Sequence, residues 1–412
     1  MTAVASTSFS RAESFAHRFS ISTYYSSYEE FASDPNVDIV YIATTNNDHM
    51  SPTLMMLQHG KNVLVEKPTT LRYKDTKLMY DEAKKRGLFL MTNHWTRFFP
   101  LVQYLRRTFL VHDGNKSKQG RSNHEFHLGK VMAMHGDFSF PTPLSASDRF
   151  LNRTLGGGVT LDVGCYLIEL ALLAAYDHRR SMTLHENIDK GLINLHPDGI
   201  DATGHGIMHN GLEFPVDVES SFSLRWGGGA YGVWDGECSD NDSEKCEAVS
   251  VGGKGTKTLK HIGSVMESQN KFTMVASLQS SFRRPSTFEV DYVFEYGRIV
   301  IAGPGNCPNE MTIFEYEPYG PLKRETKVSY SLPPIKNELL KRFGTPNYPR
   351  AEGFAYVIDA IEECMAQKGV PGRDDELVDG GCLEMEENTI EEQLITVEVT
   401  ENVLLDMGYF GT

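Results

Sequence analysis

The sequence is poor in cysteine, in basic charge and in long apolar runs. Its six cysteines among 412 residues (Cys165, Cys238, Cys246, Cys307, Cys364 and Cys382) form no CxxC pair and no metal-ligand spacing. That excludes a zinc ribbon or a dense disulfide framework and predicts reduced thiols. Lys and Arg number 40 against 55 Asp and Glu, a formal net charge of −15. Such a balance argues against nucleic acid or an anionic membrane as a partner. Much of the excess is local, with eleven acidic residues and one basic between Arg373 and Glu401. Leu394, Ile395, Val397 and Val399 interrupt that stretch, which favours a solvated surface over a disordered acidic tail. The N-terminal MTAVASTSFSR has no apolar signal segment, and no stretch approaches a membrane span. The expected location is the cytoplasm, where the Asn-x-Ser/Thr triplets at Asn115, Asn152 and Asn241 carry no weight.

What is present is the composition of an ordinary globular chain, 40% hydrophobic and 23% charged, long enough for two domains. From residue 2 to about 95, strand and helix alternate. Strand-like runs occur at 2–5, 37–43, 62–65 and 88–91, and helical patterns at 11–19, 51–59 and 73–86. Apolar strands separated by helices predict a parallel sheet covered on both faces. Beyond about residue 125, strand-like segments recur without helices between them, at 130–139, 216–226, 230–237, 287–294, 298–302 and 311–317. These predict an α+β domain with a large, mostly antiparallel sheet. Residues 350–366 and 388–408 read as helices, while 113–122 and 185–210 read as polar surface insertions. The resulting division is 1–125, 126–345 and 346–412, the last being helices that pack back across the domains.

One short stretch carries the first chemistry. In KNVLVEKPTT (61–70) a buried-type strand ends at Glu66-Lys67-Pro68. Ligands bind outside the carboxyl ends of strands in parallel α/β sheets. Pro68 cannot extend the ladder, so it ends the strand and orients Lys67. A lysine held there can donate to a substrate hydroxyl and depress the pKa of a neighbouring acid. On spacing alone, a lysine snorkelling from the sheet edge competes equally. A second segment, LGGGVTLDVGCYLIEL (155–170), sets three glycines before an apolar helical run. Glycines there allow close backbone approach to a ligand at a helix N-terminus. Asp162 and Tyr166, four apart, share one helix face. Taken together, the two segments favour an acid–base site over a core tyrosine and a solvated lysine.

In order, the motifs ATTNNDH (43–49), EKP (66–68), NHWTRFFP (93–100) and GGGVTLDVGCY (156–166) resemble the Gfo/Idh/MocA oxidoreductases. The resemblance runs from Ala3 through the C-terminal helices, and is nearest to the branch of dihydrodiol dehydrogenases and NADP-dependent D-xylose dehydrogenases. It implies a Rossmann-type dinucleotide-binding domain followed by the antiparallel domain. Carried over residue by residue, it implies Lys67 as catalytic lysine, Tyr166 as proton donor and acceptor, and Asp162 as acidic partner. Glu66, Thr44, Asn46 and His49 match nucleotide-contacting positions, with Thr45 where proline is usual. Trp95 and Arg97 match an element near the cofactor.

The beginning departs from that pattern. No G-x-G-x-x-G turn precedes Ala3, so Ala3–Ser8 corresponds to the second strand of the fold and the first strand is lacking. The expected consequence is a gap, about 10 Å wide, between the Ala3 strand and the Val63 strand. At the end of the Ala3 strand stand Ser6, Thr7, Ser8 and then Arg11. On the residues alone a Ser/Thr helix cap with a solvated arginine competes closely with a 2′-phosphate site, and within the resemblance they imply NADP. The pair His205 and His209 has i,i+4 spacing, but Gly204 and Gly206 argue against a helix there, and no metal is expected. Apolar and aromatic residues on both faces of the later strands (Phe222, Leu224, Trp226, Tyr231, Val233) predict a homodimer, with coverage of that face by the two long insertions as the alternative. Two functions follow from these residues: an NADP-dependent dehydrogenase acting on a sugar or a cyclic trans-diol, or a catalytically silent sensor or scaffold of the same fold.

Overall fold

The computed structural model describes residues 1–110, 126–142, 149–175, 200–209, 215–227, 273–337, 340–341, 348–370, 384–385 and 387–410. In the first domain β1 (Ala3–Ala5) pairs in parallel with β2 (Thr23–Tyr25). Between them runs α1 (Phe9–Phe19), which buries Ala12 and Ala16 and ends at Ser20 in the left-handed conformation. Next comes α2 (Tyr28–Ala32), whose first turn is capped by the Ser27 hydroxyl accepting from the Glu30 N–H. A second parallel ladder, in the order β3-β4-β5, joins β3 (Ile39–Ile42), β4 (Asn62–Val65) and β5 (Leu90–Thr92). Its crossovers are α3 (Met50–Gln58) and α4 (Tyr73–Arg86). All four β4 positions are buried, as a strand covered on both faces requires.

Among the described residues no ladder joins β1 to β3. Ile39 and Tyr41 on β3 are correspondingly 38% and 48% exposed. The gap therefore borders β3, not the Val63 strand, which is central. The misplacement arose because Thr23–Tyr25, three residues without apolar alternation, gave no readable strand signal.

The second domain is built on an eight-stranded sheet in the order β13-β12-β11-β10-β6-β9-β8-β7. Its strands are β6 (Val131–Ser139), β7 (Asp201–Met208), β8 (Asp217–Gly227), β9 (Thr273–Ser281), β10 (Val290–Phe294), β11 (Gly297–Ile301), β12 (Glu310–Tyr316) and β13 (Leu322–Ser329). Only β6 and β9 pair in parallel; the other ladders are antiparallel. On its inner face lie α5 (Pro100–Leu105) and α6 (Cys165–Ala175), with Leu167, Leu170 and Ala171 packed against Met134, Leu278 and Tyr292 in one core. The last two helices are α7 (Phe354–Lys368) and α8 (Ile390–Asp406). In α8, Leu394 packs into the first-domain core and Val399 and Val403 into the second.

Several expectations need correction. Part of the supposed insertion 185–210 is the edge strand β7, whose DATGHGIM lacks apolar alternation because a helix presses on its backbone. A Cβ on Gly204 would stand 2.9 Å from the Val403 carbonyl oxygen of α8. The acidic stretch is not all solvated surface: Glu391 and Glu392 are buried at the start of α8. The run Arg153–Ala174 is apolar and long enough to cross a membrane, but 89% of its apolar window is buried in the core. Cys165 and Cys307 are free and buried, whereas Cys364 is disulfide-bonded, contrary to the expectation of reduced thiols throughout. The predicted strand 230–237, the insertion 113–122, and Cys238, Cys246 and Cys382 lie outside the described residues.

Candidate active site

The carboxyl end of β4 delivers Lys67 into the space between the domains. Its ammonium donates to the Asp162 carbonyl oxygen and stands 3.9 Å from the Asp162 carboxylate. It also lies over the face of the Tyr166 ring, 4.8 Å from the centroid. Thr160–Gly164 winds as a π-helical turn into α6, and this turn presents Asp162 and Tyr166 toward the lysine. Sequence and structure thus bring Lys67, Asp162 and Tyr166 together. Burial would lower the Lys67 pKa, but Cys165, Asp162, Tyr348 and Glu66 around it outweigh that and hold it above the ordinary lysine value. Lys67 is a fixed cation. Tyr166 is held well above the usual tyrosine value, chiefly by burial, so it rests as a phenol. The depression expected from the neighbouring lysine is outweighed by this desolvation. Cys165, beside Lys67, is pushed up to about 12 by burial and is an inert thiol.

The loop after β3 clasps the glycine segment. Asn46 Nδ2 donates to the Gly156 carbonyl at 2.9 Å, and Asn47 Nδ2 to that of Thr154 at 3.0 Å. Gly156 has φ +74°, and a Cβ there would stand 2.6 Å from the Asn46 Cβ. Gly158 has φ +120°, and a Cβ would overlap the buried Asp217 carboxylate, which also accepts from the Thr160 N–H at 2.8 Å. The close approach that these glycines permit is to protein, not to ligand as expected. His49 is fully buried, donates from Nδ1 to the Pro68 carbonyl at 2.8 Å, and is held below the usual histidine value by that burial. It fixes the turn that aims Lys67. The Thr44 hydroxyl is turned back to the Asp48 carbonyl at 2.6 Å.

At the end of β5, Asn93 Nδ2 donates to Glu66 Oε1 at 2.7 Å, and the same carboxylate accepts from the Tyr41 hydroxyl. The Asn93 Oδ1 and His94 Nδ1 atoms are buried without a partner. Burial, reinforced by Arg97 and Lys67, lowers the His94 pKa to about 3. Trp95 Nε1 donates to the Tyr166 hydroxyl at 3.3 Å, and its ring stacks on Phe354 with centroids 4.2 Å apart. Arg97 is not turned to open space. It is 1% exposed and pairs with Glu169 of α6 at 3.0 Å and with Glu392 of α8 at 2.9 Å. Arg106 completes the cluster, 2.7 Å from Glu392. Glu169 is pushed up to about 7 by burial, Arg97 opposing.

At the end of β1 the hydroxyls and the guanidinium gather as expected. Arg11 donates to the Thr7 hydroxyl at 3.1 Å at the surface, and the half-buried Ser6 Oγ accepts from the Ser8 N–H at 3.3 Å. Two features escaped sequence reading. Tyr348, before α7, packs its ring 5.7 Å from that of Trp95, and Arg149 reaches Asp162 at 3.1 Å. Neither sits in a motif, and no sequence signal marks them. His205 lies on β7 with His209 just beyond its end. Among the described residues no cluster of three potential metal ligands occurs.

The nicotinamide half of a dinucleotide fits what is here. Three parallel strand ends converge beside Lys67, and the buried, unpartnered Asn93 Oδ1 can accept a carboxamide N–H. Residues 1–94 match the oxidoreductase family with an NAD-binding Rossmann fold, and residues 124–257 match the GFO/IDH/MocA C-terminal domain. Curated relatives are trans-1,2-dihydrobenzene-1,2-diol dehydrogenases. That of Sus scrofa is 32% identical over 262 residues, covering 64% of this chain and 65% of its own. That of Xenopus laevis is 31% identical over 203 residues, 49% of this chain and 55% of its own. The matches thus span between about half and two thirds of those relatives. Among solved structures, levoglucosan dehydrogenase in complex with NADH and levoglucosan superposes with TM-score 0.62 at 15% identity, covering 98% of this chain and 87% of that one. A 3-ketoreductase from Actinomadura kijaniata, in complex with NADP and TDP-benzene, gives TM-score 0.59 at 16% identity, covering 99% and 89%. At such identities the likeness is one of fold.

Proposed function

The chain belongs to the Gfo/Idh/MocA oxidoreductase family, and from that premise we propose an NADP-dependent dehydrogenase acting on a secondary alcohol, either of a sugar or of a cyclic trans-diol. The observation that carries this reading is the convergence of Lys67, Asp162 and Tyr166. The nicotinamide cofactor supplies the hydride acceptor. Glu66, Asn93 and Thr44 would border its nicotinamide end, and Ser6, Thr7 and Arg11 would hold a 2′-phosphate. The Tyr166 phenol first gives up its own proton to water, and as the tyrosinate that Lys67 stabilises it takes the proton of the substrate hydroxyl. Asp162, tied to Arg149, holds the lysine in place. Trp95, with one N–H directed at the Tyr166 oxygen, keeps the phenol oriented.

The test is turnover of trans-dihydrodiols and pentoses with NADP and with NAD, alongside fluorescence titration of NADPH. Tyr166→Phe and Lys67→Ala should each lower kcat by roughly 10²–10⁴-fold while leaving NADPH affinity within a few-fold. Near-wild-type turnover in either variant would remove that residue from the mechanism. A second reading, a silent sensor, is favoured by one observation: the β1–β2 pair is not laddered to β3. NADPH that fails to bind tightly, with no alcohol oxidised, would support it.

We also infer a homodimer through the outer face of the large sheet. Ala133, Val275, Val293, Val300 and Phe314 are half-buried on that face, and Met132 is 38% exposed. Sedimentation showing only monomer at micromolar concentration would refute it.

A further inference from the structure

The groups that carry the site stand on two separate segments, and each segment is gripped by one of two consecutive aromatics. Lys67 opens the stretch that leads from β4 into α4, and Arg72 closes it, immediately before Tyr73. Asp162 and Tyr166 follow the glycine segment 156–158. Past α8, the chain lays Tyr409 on the glycine segment and Phe410 on Arg72.

The turn that does this is built. Gly408, at φ +73°, donates to the Leu405 carbonyl at 3.0 Å, and the Tyr409 N–H to the Leu404 carbonyl at 2.9 Å. That paired closure of a helix aims the next side chains, and Leu404 and Tyr409 share the apolar contact that accompanies it. The Tyr409 hydroxyl donates to the Gly157 carbonyl at 2.6 Å, and the residue is 2% exposed. Burial raises its pKa above the ordinary tyrosine value, so the hydroxyl stays a donor. A Cβ on Gly158 would stand 3.3 Å from the Tyr409 ring, and Leu161, next to Asp162, lies in the same cluster. Phe410 receives the Arg72 guanidinium over its ring, 3.3 Å from the centroid. That guanidinium also pairs with Glu401 of α8 at 2.9 Å, and the Glu401 carboxylate accepts the Tyr73 N–H at 2.7 Å.

Lys67 itself cannot hold the two segments at a set distance. It crosses to Asp162 on a flexible four-carbon stem, which follows either backbone if one moves. Tyr409 and Phe410 grip the two segments with rigid rings that are neighbours in sequence, their centroids 5.2 Å apart. We propose that Tyr409 and Phe410 act as one latch that sets the placement of Lys67 against Asp162 and Tyr166, an inference that rests on the dehydrogenase reading above. Both act through Arg72 and Gly157 and are positioning residues, not catalytic ones.

Tyr409→Phe removes the hydroxyl, and Phe410→Leu removes the ring face. Each should lower kcat by about 10- to 100-fold, the cost of a displacement of about 1 Å between reacting groups. KM and NADPH affinity should stay within a few-fold. Phe410→Tyr keeps a face for Arg72 and should retain the wild-type kcat. A kcat that holds in either of the first two variants overturns the latch. So does a loss that appears equally in KM and NADPH affinity, or a Phe410→Tyr variant as slow as Phe410→Leu. A second measurement does not depend on turnover: amide hydrogen exchange in peptides spanning 66–76 and 153–166. Each of the two damaging variants should speed exchange in both peptides, although Phe410 rests on Arg72 and Tyr409 on Gly157. Faster exchange confined to the segment that the altered residue touches, or no change, overturns the latch. If the wild type oxidises none of the alcohols offered, the dehydrogenase reading fails by itself and the exchange measurement alone decides on the latch.

Discussion

Replacing Arg97 by methionine removes a buried cation and leaves the side-chain volume nearly filled. Glu169 and Glu392 stand 3.0 and 2.9 Å from the guanidinium, and all three residues are at most 2% exposed. At an effective dielectric of about 20, each contact is worth about 5–6 kcal/mol of gross attraction. Desolvation offsets much of that in the intact protein. Removing one partner, however, strands the carboxylates, so the expected net loss is about 3–5 kcal/mol of unfolding free energy. Glu392 keeps Arg106 at 2.7 Å, which places the loss mainly on Glu169. The sign of the pH dependence follows. Glu169 is raised to about 7 in the folded protein, so its favourable contribution is complete at acid pH, below the unfolded glutamate value, and is lost as pH rises through about 7. Without Arg97 its pKa rises further, and the loss continues above that pH. The Arg97→Met deficit should therefore be larger at about pH 8 than at about pH 6, and adding Glu169→Gln should recover part of it at the higher pH. Urea unfolding at the two pH values measures this. A deficit under about 1 kcal/mol, or one independent of pH, would refute the assignment of Arg97 as the counter-ion of Glu169.

Gly158→Ala must fit a Cβ onto the Asp217 carboxylate at φ +120°, so it should cost several kcal/mol, read as a lowered unfolding midpoint with soluble yield as a second measure. Ordinary expression and stability would show that the loop can move. Gln393→Leu strips the acceptor from the Thr92 N–H and the Tyr80 hydroxyl, both buried, and should lower stability by roughly 2–4 kcal/mol in urea unfolding. A loss below about 0.5 kcal/mol would mean that both donors find other partners.

The strand ends that carry Lys67 and the turn that carries Asp162 and Tyr166 could be read from local pattern. An apolar run closed by Glu66-Lys67-Pro68 and a glycine triplet before an apolar helix are features of consecutive residues. The inner strand β9 went unread although Met274, Ala276 and Leu278 alternate inward along it, but three other unread strands lacked such a pattern for identifiable reasons. β2 is three residues long, and β7 is held by Gly204 and Gly206 against α8. β13, LKRETKVS, is a charged edge whose alternation is polar against polar. Edge strands hide from periodicity because one side has no core to face.

The residues around Tyr166 were hidden for a different reason. Arg97 reads as a cofactor contact from its motif, yet Glu392, nearly three hundred residues later, turns it into an internal counter-ion. Glu392 itself reads as solvated charge from its acidic stretch, and only Arg97 and Arg106 make its burial tolerable. Each residue's environment is defined by the other, so neither could be placed alone. The same holds for Tyr348, whose hydroxyl is held by Asn306 and whose ring packs against Trp95, both far from it in sequence. What ties the two domains at this point is α8: the Gln393 side chain accepts from the β5 backbone while Val399 and Val403, further along, fill the second core. The alignment of Lys67 from one domain with Tyr166 from the other is therefore held from behind, by a helix packed against α6. Substitutions in the core-facing side of α8 should then disturb the site before they disturb either domain's own fold.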